Sequence, residues 1–321
     1  MDFNKTVFAK KLFIIGALLL SLACSPLHAL VPKVIQDNNG LEFWTESFGE
    51  KTNPALILVM GSGGQGLMWP QEFCEQLANK GYFVIRFDNR DTGLSASIDY
   101  EAIHYTLLDM TKDIVSIMDK YKIQKAHIVG VSMGGVMAQL FGTYYPDRAL
   151  TLTLLATSSD MRPAFDSFAG KPTTSTLSIP KPPVLDSVKN VLAPPVTLDE
   201  KVALFMKLIP IYNPNVTIDK EFVRQQALQT FVRMRNPNGS GNHFQATQVS
   251  YELQKNALEK IKAPTLILHG DQDPVFAIDH ANALHKAIPH SKLVIIPKFG
   301  HGFASSEFFT PIVDNIAQFA K

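Results

Sequence analysis

An α/β fold is predicted, with a mostly parallel sheet, helices on both faces and an inserted helical segment. Three observations predict it. Short continuous apolar runs at 55–60, 82–87, 126–129, 150–156 and 264–269 have the length of strands buried on both faces. Helical patterns separate most of them, the rhythm of strand, crossover helix and parallel strand. Between 159 and 262 that rhythm stops, so 30–158 and 263–321 form the core and 159–262 an insertion.

The N-terminus carries Lys5, Lys10 and Lys11, then an apolar stretch at 12–23, then Cys24-Ser25-Pro26-Leu27-His28-Ala29. This pattern predicts a secretory signal peptide at 1–29, cut after Ala29, and hence a periplasmic or secreted protein. The stretch is shorter than the about 20 residues a membrane helix needs, so no stable span is expected after cleavage. Lipid attachment at Cys24 is the alternative, although Ser21 stands where a lipoprotein signal usually has leucine. Cleavage would leave Cys74 as the one thiol, with no intrachain disulfide. A hydrophobic content of 46% in 321 residues suffices for a sizeable core, and a net charge of +1 argues against nucleic acid as a partner.

Residues 41–48 alternate as an edge strand would. The buried run at 55–60 leads into Gly61-Ser62-Gly63-Gly64-Gln65-Gly66, which admits two uses. One is a dinucleotide-binding turn, Gly-x-Gly-x-x-Gly with Asp88 ending the next strand. Against it, Leu67-Met68-Trp69 follows the glycines and Pro70 marks the first helical turn, where a cofactor-binding helix should already have begun. Export would also separate the chain from nicotinamide pools, and the fingerprint leaves Ser132 unexplained. The other use is to aim unpaired backbone N–H groups, that of Ser62 first, at a developing negative charge.

The segment Asp88-Asn89-Arg90-Asp91-Thr92-Gly93-Leu94-Ser95 is dense in turn formers, and its charges read as braces. Residues 107–121 form an amphipathic helix. Gly130-Val131-Ser132-Met133-Gly134-Gly135 then joins a buried strand to a helix at 136–145, closed by Pro146. A Gly-x-Ser-x-Gly turn there lifts the serine out of the sheet in a strained conformation, with glycine needed on both sides.

Within the insertion, ten prolines fall between Pro163 and Pro237, and 171–183 reads as loop. Thr197-Leu198-Asp199-Glu200 is a capping box opening a helix at 201–209, and 221–234 and 246–258 also read as helices. This is the pattern of a helical lid. Its Phe165, Phe168, Phe205, Met206, Phe231, Met234 and Phe244 are candidates to line an apolar pocket or to pack the lid onto the core. After it come the run at 264–269 ending in Gly270-Asp271-Gln272-Asp273, a helix at 278–287, a strand at 292–296, the loop Phe299-Gly300-His301-Gly302 and a final helix at 307–320.

Of nine histidines, His28 leaves with the signal, His127 and His269 lie in buried strands, and His280, His285 and His290 fall at five-residue steps that share no metal-binding face. His104 and His243 sit in loops without matching context, which leaves His301 as the base. Ser132, then Asp271 or Asp273, then His301 occupy the ends of successive strands, hence one rim of the sheet. A serine hydroxyl needs such a base, and a carboxylate to fix the imidazole tautomer.

These segments, with Phe87-Asp88-Asn89-Arg90-Asp91-Thr92-Gly93-Leu94-Ser95, together resemble the α/β-hydrolase superfamily, and the Asp-x-Arg-Asp-Thr-Gly loop is similar to its aclacinomycin methylesterase-like branch. The resemblance implies Asp273 as the acid, with Asp271 supporting the loop, and Ser62 and Met133 N–H as the oxyanion hole. Met60 stands where many members have histidine. The implied activity is cleavage of carboxylic esters through an acyl-enzyme on Ser132, as a carboxylesterase or methylesterase of small to medium apolar substrates, without metal or organic cofactor. Lipase, thioesterase and cofactor-free perhydrolase share the triad. A ligand-binding homologue without turnover is the alternative of another class.

Overall fold

The computed structural model describes residues 33–189, 196–256 and 258–321. The expected signal peptide at 1–29, with Cys24, lies outside the described residues. The strands are β1 (Lys33–Gln36), β2 (Glu42–Phe48), β3 (Ala55–Val59), β4 (Phe83–Phe87), β5 (Ala126–Val131), β6 (Ala149–Leu155), β7 (Thr265–Gly270) and β8 (Lys292–Ile296). They form one sheet in the order β1-β2-β4-β3-β5-β6-β7-β8. Pairing is parallel from β4 to β8, while β2 runs antiparallel to both β1 and β4.

Residues 41–48 are therefore not the edge. β1 covers them through a hairpin in which Asp37 Oδ1 accepts from Asn39 and Leu41 N–H at 2.8 Å each, and Gly40 takes a φ of 89°. Asp37-Asn38-Asn39-Gly40 is a turn signal of the kind that predicts such a hairpin.

Period-two alternation sorts each central strand between two cores. Ile57, Val59, Ile128, Leu154 and Ile267 face one side, and Leu56, Leu58, Val129, Leu155 and Leu268 the other. The first side is covered by α2 (Leu107–Lys120), α3 (Met133–Tyr144) and α10 (Ile278–Ala287), the second by α1 (Gln71–Asn79) and α11 (Phe309–Phe319). Each fully buried leucine or isoleucine contributes about 1.5–3 kcal/mol, so the alternation fixes the register of every strand. Pro70 caps α1, which starts well past the glycine-rich loop.

Between β6 and β7 the described chain carries α4 (Arg162–Phe168), α5 (Pro182–Lys189), α6 (Leu198–Tyr212), α7 (Lys220–Val232), α8 (Gly239–Gln248) and α9 (Tyr251–Lys255). The capping box at Thr197 forms as its sequence predicts, with Glu200 N–H donating to the Thr197 hydroxyl and the Glu200 carboxylate accepting from Thr197 N–H. The helix expected at 246–258 is broken at Ser250. Its hydroxyl donates to Ala246 carbonyl at 2.7 Å and accepts from Leu107 N–H at 2.9 Å, spending on α2 what a continuous helix would leave free. α5 begins at Pro182, inside the stretch read as loop, because proline is tolerated in a first helical turn and Lys181 N–H is tied to Pro274 carbonyl.

Candidate active site

Ser132 sits between β5 and α3 with φ 54° and ψ −122°, outside the comfortable regions for an L-residue. The turn is held by Ser132 N–H donating to Leu155 carbonyl at 3.0 Å and by the Thr157 hydroxyl donating to Ser132 carbonyl at 2.7 Å. Glycine is required on both sides: a β-carbon on Gly130 would lie 2.1 Å from Gly134 carbonyl oxygen, and one on Gly134 2.3 Å from Val59 carbonyl oxygen. The close approach of α3 to β3 and β5 is thus what lifts the serine.

The loop after β8 carries His301. Lys298 N–H donates to Asp271 Oδ1 at 2.7 Å, and His301 N–H donates to Tyr212 carbonyl at 2.9 Å. Asp271 is exposed and braces this loop; Asp273 is buried and faces the imidazole. His301 Nδ1 lies 2.8 Å from Asp273 Oδ2, and His301 Nε2 lies 3.2 Å from Ser132 Oγ. Asp273 Oδ1 accepts from Val275 and Phe276 N–H at 2.8 and 2.9 Å. Burial by itself would raise the Asp273 carboxyl, but the charge and hydrogen bond of His301, with the Phe276 N–H, hold it below the ordinary carboxylate value. A carboxylate only accepts, so the imidazole proton resides on Nδ1 and the Nε2 lone pair faces the serine. Phe276 packs edge-on against the ring, at 5.4 Å between centroids.

On the other side of Ser132, the glycine-rich loop passes so close that a β-carbon on Gly61 would lie 3.1 Å from Ser132 Cβ. The N–H groups of Ser62 and Met133 have no acceptor among the described residues. Two open donors beside a serine, imidazole and carboxylate in line can stabilise an oxyanion formed by attack of the serine on a carbonyl.

The glycines of the would-be dinucleotide fingerprint are used in packing. A β-carbon on Gly66 would lie 2.6 Å from Phe87 carbonyl oxygen, and Gly66 N–H donates to Asp88 Oδ1 at 2.8 Å. Asp88, the residue that would hold a ribose, is fully buried. Arg90 and Asp91 act as braces: Arg90 makes a two-pronged ion pair with Asp113 at 2.6 and 2.8 Å, and Asp91 accepts from Tyr105, Asn236 and Asn242. Among the described residues no cluster of histidine, cysteine or carboxylate side chains is arranged to hold a metal, and no helix is long and apolar enough to cross a membrane.

His127 Nδ1 lies 2.9 Å from Thr151 Oγ1, and His269 Nε2 donates to Phe276 carbonyl at 2.8 Å while its Nδ1 is buried without a partner among the described residues, so both rings sit in the core. His243 departs from the expectation of a loop residue. It lies on α8, fully buried, between the glycine-rich loop and the segment after β4. Of the aromatic side chains that are candidates to line a pocket or to pack the insertion onto the core, Phe165 stacks on Phe244 at 5.2 Å and Phe205 meets Phe231 edge-on at 6.0 Å. Met206, Phe231 and Met234 are half-buried.

Residues 54–306 match the family model described as alpha/beta hydrolase fold. Rhodomycin D methylesterase DnrP of Streptomyces peucetius is 28% identical over 283 residues, 84% of this chain and 92% of that protein. Rhodomycin D methylesterase DauP of Streptomyces sp. strain C5 is 29% identical over 270 residues, covering 80% and 88%. Among solved structures, the enol-lactonase of Burkholderia xenovorans LB400 superposes with a TM-score of 0.70 at 20% identity, over 89% of this chain and 99% of that one. That likeness is one of fold.

Proposed function

The chain belongs to the α/β hydrolase fold family, and from that premise we propose that it is a serine esterase acting through an acyl-enzyme on Ser132. The observation that carries the reading is the position of His301, with Nε2 at 3.2 Å from Ser132 Oγ and Nδ1 at 2.8 Å from a buried, ionised Asp273. His301 takes the Ser132 proton as the oxygen attacks an ester carbonyl. The tetrahedral oxyanion is held by Ser62 and Met133 N–H. His301 then gives its proton to the departing alcohol, and water, deprotonated by the same imidazole, hydrolyses the acyl-enzyme to the free acid and serine. Losing one oxyanion donor typically lowers turnover about 100- to 1,000-fold.

Similarity to two rhodomycin D methylesterases over most of both chains supports an ester with a small alcohol as substrate. Half-buried Phe205, Phe231, Met206 and Met234 on α6 and the α7 segment support an apolar acyl part, with the insertion as its lid. The test is intact mass after exposure to a fluorophosphonate, followed by a panel of methyl and longer esters. One adduct on the wild type, lost in Ser132→Ala and His301→Ala, together with turnover lost in the same variants, is the expected result. Absence of both adduct and turnover in the wild type at neutral pH would overturn the reading in favour of a ligand-binding homologue.

A further inference from the structure

The loop bearing the Ser62 donor contains glycine at three of four positions, Gly61, Gly63 and Gly64, so its own preferences do little to fix it. Hydrogen bonds hold it instead. Gly64 N–H donates to Gly61 carbonyl at 3.1 Å, closing a four-residue turn, and Gly63 has a φ of 67°, as the third position of a type II turn requires. Gly61 carbonyl and Ser62 N–H share one peptide plane and point oppositely, so this turn also aims the Ser62 donor. Asn89 Nδ2 donates to Met60 carbonyl at 3.0 Å and holds the loop's entry.

What separates a type II from a type I turn is the orientation of the central peptide, here Ser62 to Gly63. Gly63 N–H donates to His243 Nδ1 at 3.0 Å, and His243 Nε2 lies 2.8 Å from Arg90 carbonyl. An amide N–H only donates and a carbonyl only accepts, so the imidazole carries its proton on Nε2 and offers a lone pair at Nδ1. A flipped peptide would turn Ser62 carbonyl towards that lone pair, acceptor against acceptor. The imidazole is fully buried, and burial keeps it neutral by holding its pKa below the ordinary histidine value. Its far anchor is firm, since Arg90 is paired with buried Asp113. Ser240, one turn earlier on α8, fills the space a Gly63 side chain would need: a β-carbon there would lie 2.1 Å from Ser240 Oγ.

We infer that His243 is the positioning residue of the oxyanion loop: by accepting from Gly63 N–H through Nδ1 it fixes the Ser62-to-Gly63 peptide, and so anchors the turn whose preceding peptide, Gly61 to Ser62, presents the Ser62 N–H to the reacting carbonyl. This inference rests on the esterase reading given above. It makes α8, part of the segment inserted between β6 and β7, a component of the catalytic framework as well as a cover.

Two amide replacements separate positioning from bulk structure. His243→Asn places an acceptor where Nδ1 stood and keeps the bond from Gly63, while His243→Gln places its amide near Nε2 and loses it. With p-nitrophenyl butyrate, His243→Gln is expected to lose on the order of 10- to 100-fold in kcat with KM within about twofold, and His243→Asn to stay within about fivefold of wild type. A structural role alone would affect both alike, so equal kcat values in the two variants, or unchanged kcat in His243→Gln, would overturn the inference. Nitrogen-15 NMR of the wild-type imidazoles reads the pin without a substitution. Proton coupling at Nε2 with a hydrogen-bonded, unprotonated Nδ1 is expected, and protonation at Nδ1 would refute it. If the wild type shows no turnover sensitive to Ser132→Ala, the esterase reading fails by itself, and the NMR result still decides whether the pin exists.

Discussion

Asp273 Oδ2 lies 2.8 Å from His301 Nδ1, although 28 residues separate the two in the chain, while Asp271 reaches only the backbone of Lys298. Two carboxylates equivalent by sequence position thus have different tasks. Asp273→Asn, which permits the wrong imidazole tautomer, should lower kcat about 10⁴-fold with little change in KM. Asp271→Asn should stay within about tenfold, since it removes a brace and no reacting group. Steady-state kinetics on one ester checks both, and comparable losses would remove the distinction.

The same carboxylate links folding to pH. Its folded-state value is depressed below 3.8: burial opposes the shift, and His301 and the backbone donors outweigh burial. An acid depressed on folding contributes stability that is present above its unfolded value and lost as pH falls through the folded one. The difference in unfolding free energy between wild type and Asp273→Asn should therefore be flat above about pH 5 and shrink in the acid range below 3.8. A difference independent of pH down to full acid unfolding would contradict an ionised Asp273.

Ser132 at φ 54° carries strain that a β-carbon feels and glycine does not. Ser132→Gly should be more stable than Ser132→Ala by about 1 kcal/mol, with both inactive. Urea denaturation of the two variants measures this directly. Equal midpoints would mean that the turn stores no strain at this residue.

The strands were legible because each central one is a continuous apolar run, and the grouping of Ser132, Asp273 and His301 because they follow β5, β7 and β8 of one parallel sheet, beside glycines. β1 was missed although Asp37-Asn38-Asn39-Gly40 announces its hairpin. The insertion was less legible for a physical reason. α4 and α5 are only 7 and 8 residues long, and α5 is anchored at its start by the Lys181 bond to Pro274, a tertiary contact. His243 was illegible altogether, since its partners Gly63 and Arg90 lie 180 and 153 residues away and no local pattern connects them.

Cys74 is fully buried on α1, and burial pushes its thiol up to about 12, with the Arg86 charge only partly opposing. Thiolate, the reactive form, is then scarce at neutral pH. Iodoacetamide at pH 8 should leave Cys74 unmodified in the native protein and modify it fully in denaturant, as read by peptide mass mapping. Ester turnover should survive the native treatment. Rapid native modification of Cys74 would show that α1 opens on the timescale of the reagent.

Asp88 and Arg233 couple the insertion to the core in a second place. Arg233 Nη2 lies 2.8 Å from Asp88 Oδ2, and its guanidinium stacks 4.1 Å from the centroid of Trp44. Asp88 also accepts from Gly66 and Leu94 N–H, so one buried carboxylate gathers the loops after β3 and β4 and the end of α7. Burial pushes Asp88 up and Arg233 down, against their mutual attraction. Arg233→Met removes the cation and leaves the carboxylate buried, which should cost about 3–5 kcal/mol. Adding Asp88→Asn should cost less in that background than in the wild type, giving a coupling on the order of 1–3 kcal/mol in a denaturation cycle. The pH dependence has a definite sign. An acid whose folded-state value is raised above 3.8 gives stability at low pH that is lost as pH rises through the folded value, and without Arg233 that value rises further. The deficit of Arg233→Met relative to wild type should thus be smaller at pH 5 than at pH 8. An additive cycle, or a deficit that grows on acidification, would show that Asp88 does not depend on Arg233 for its charge.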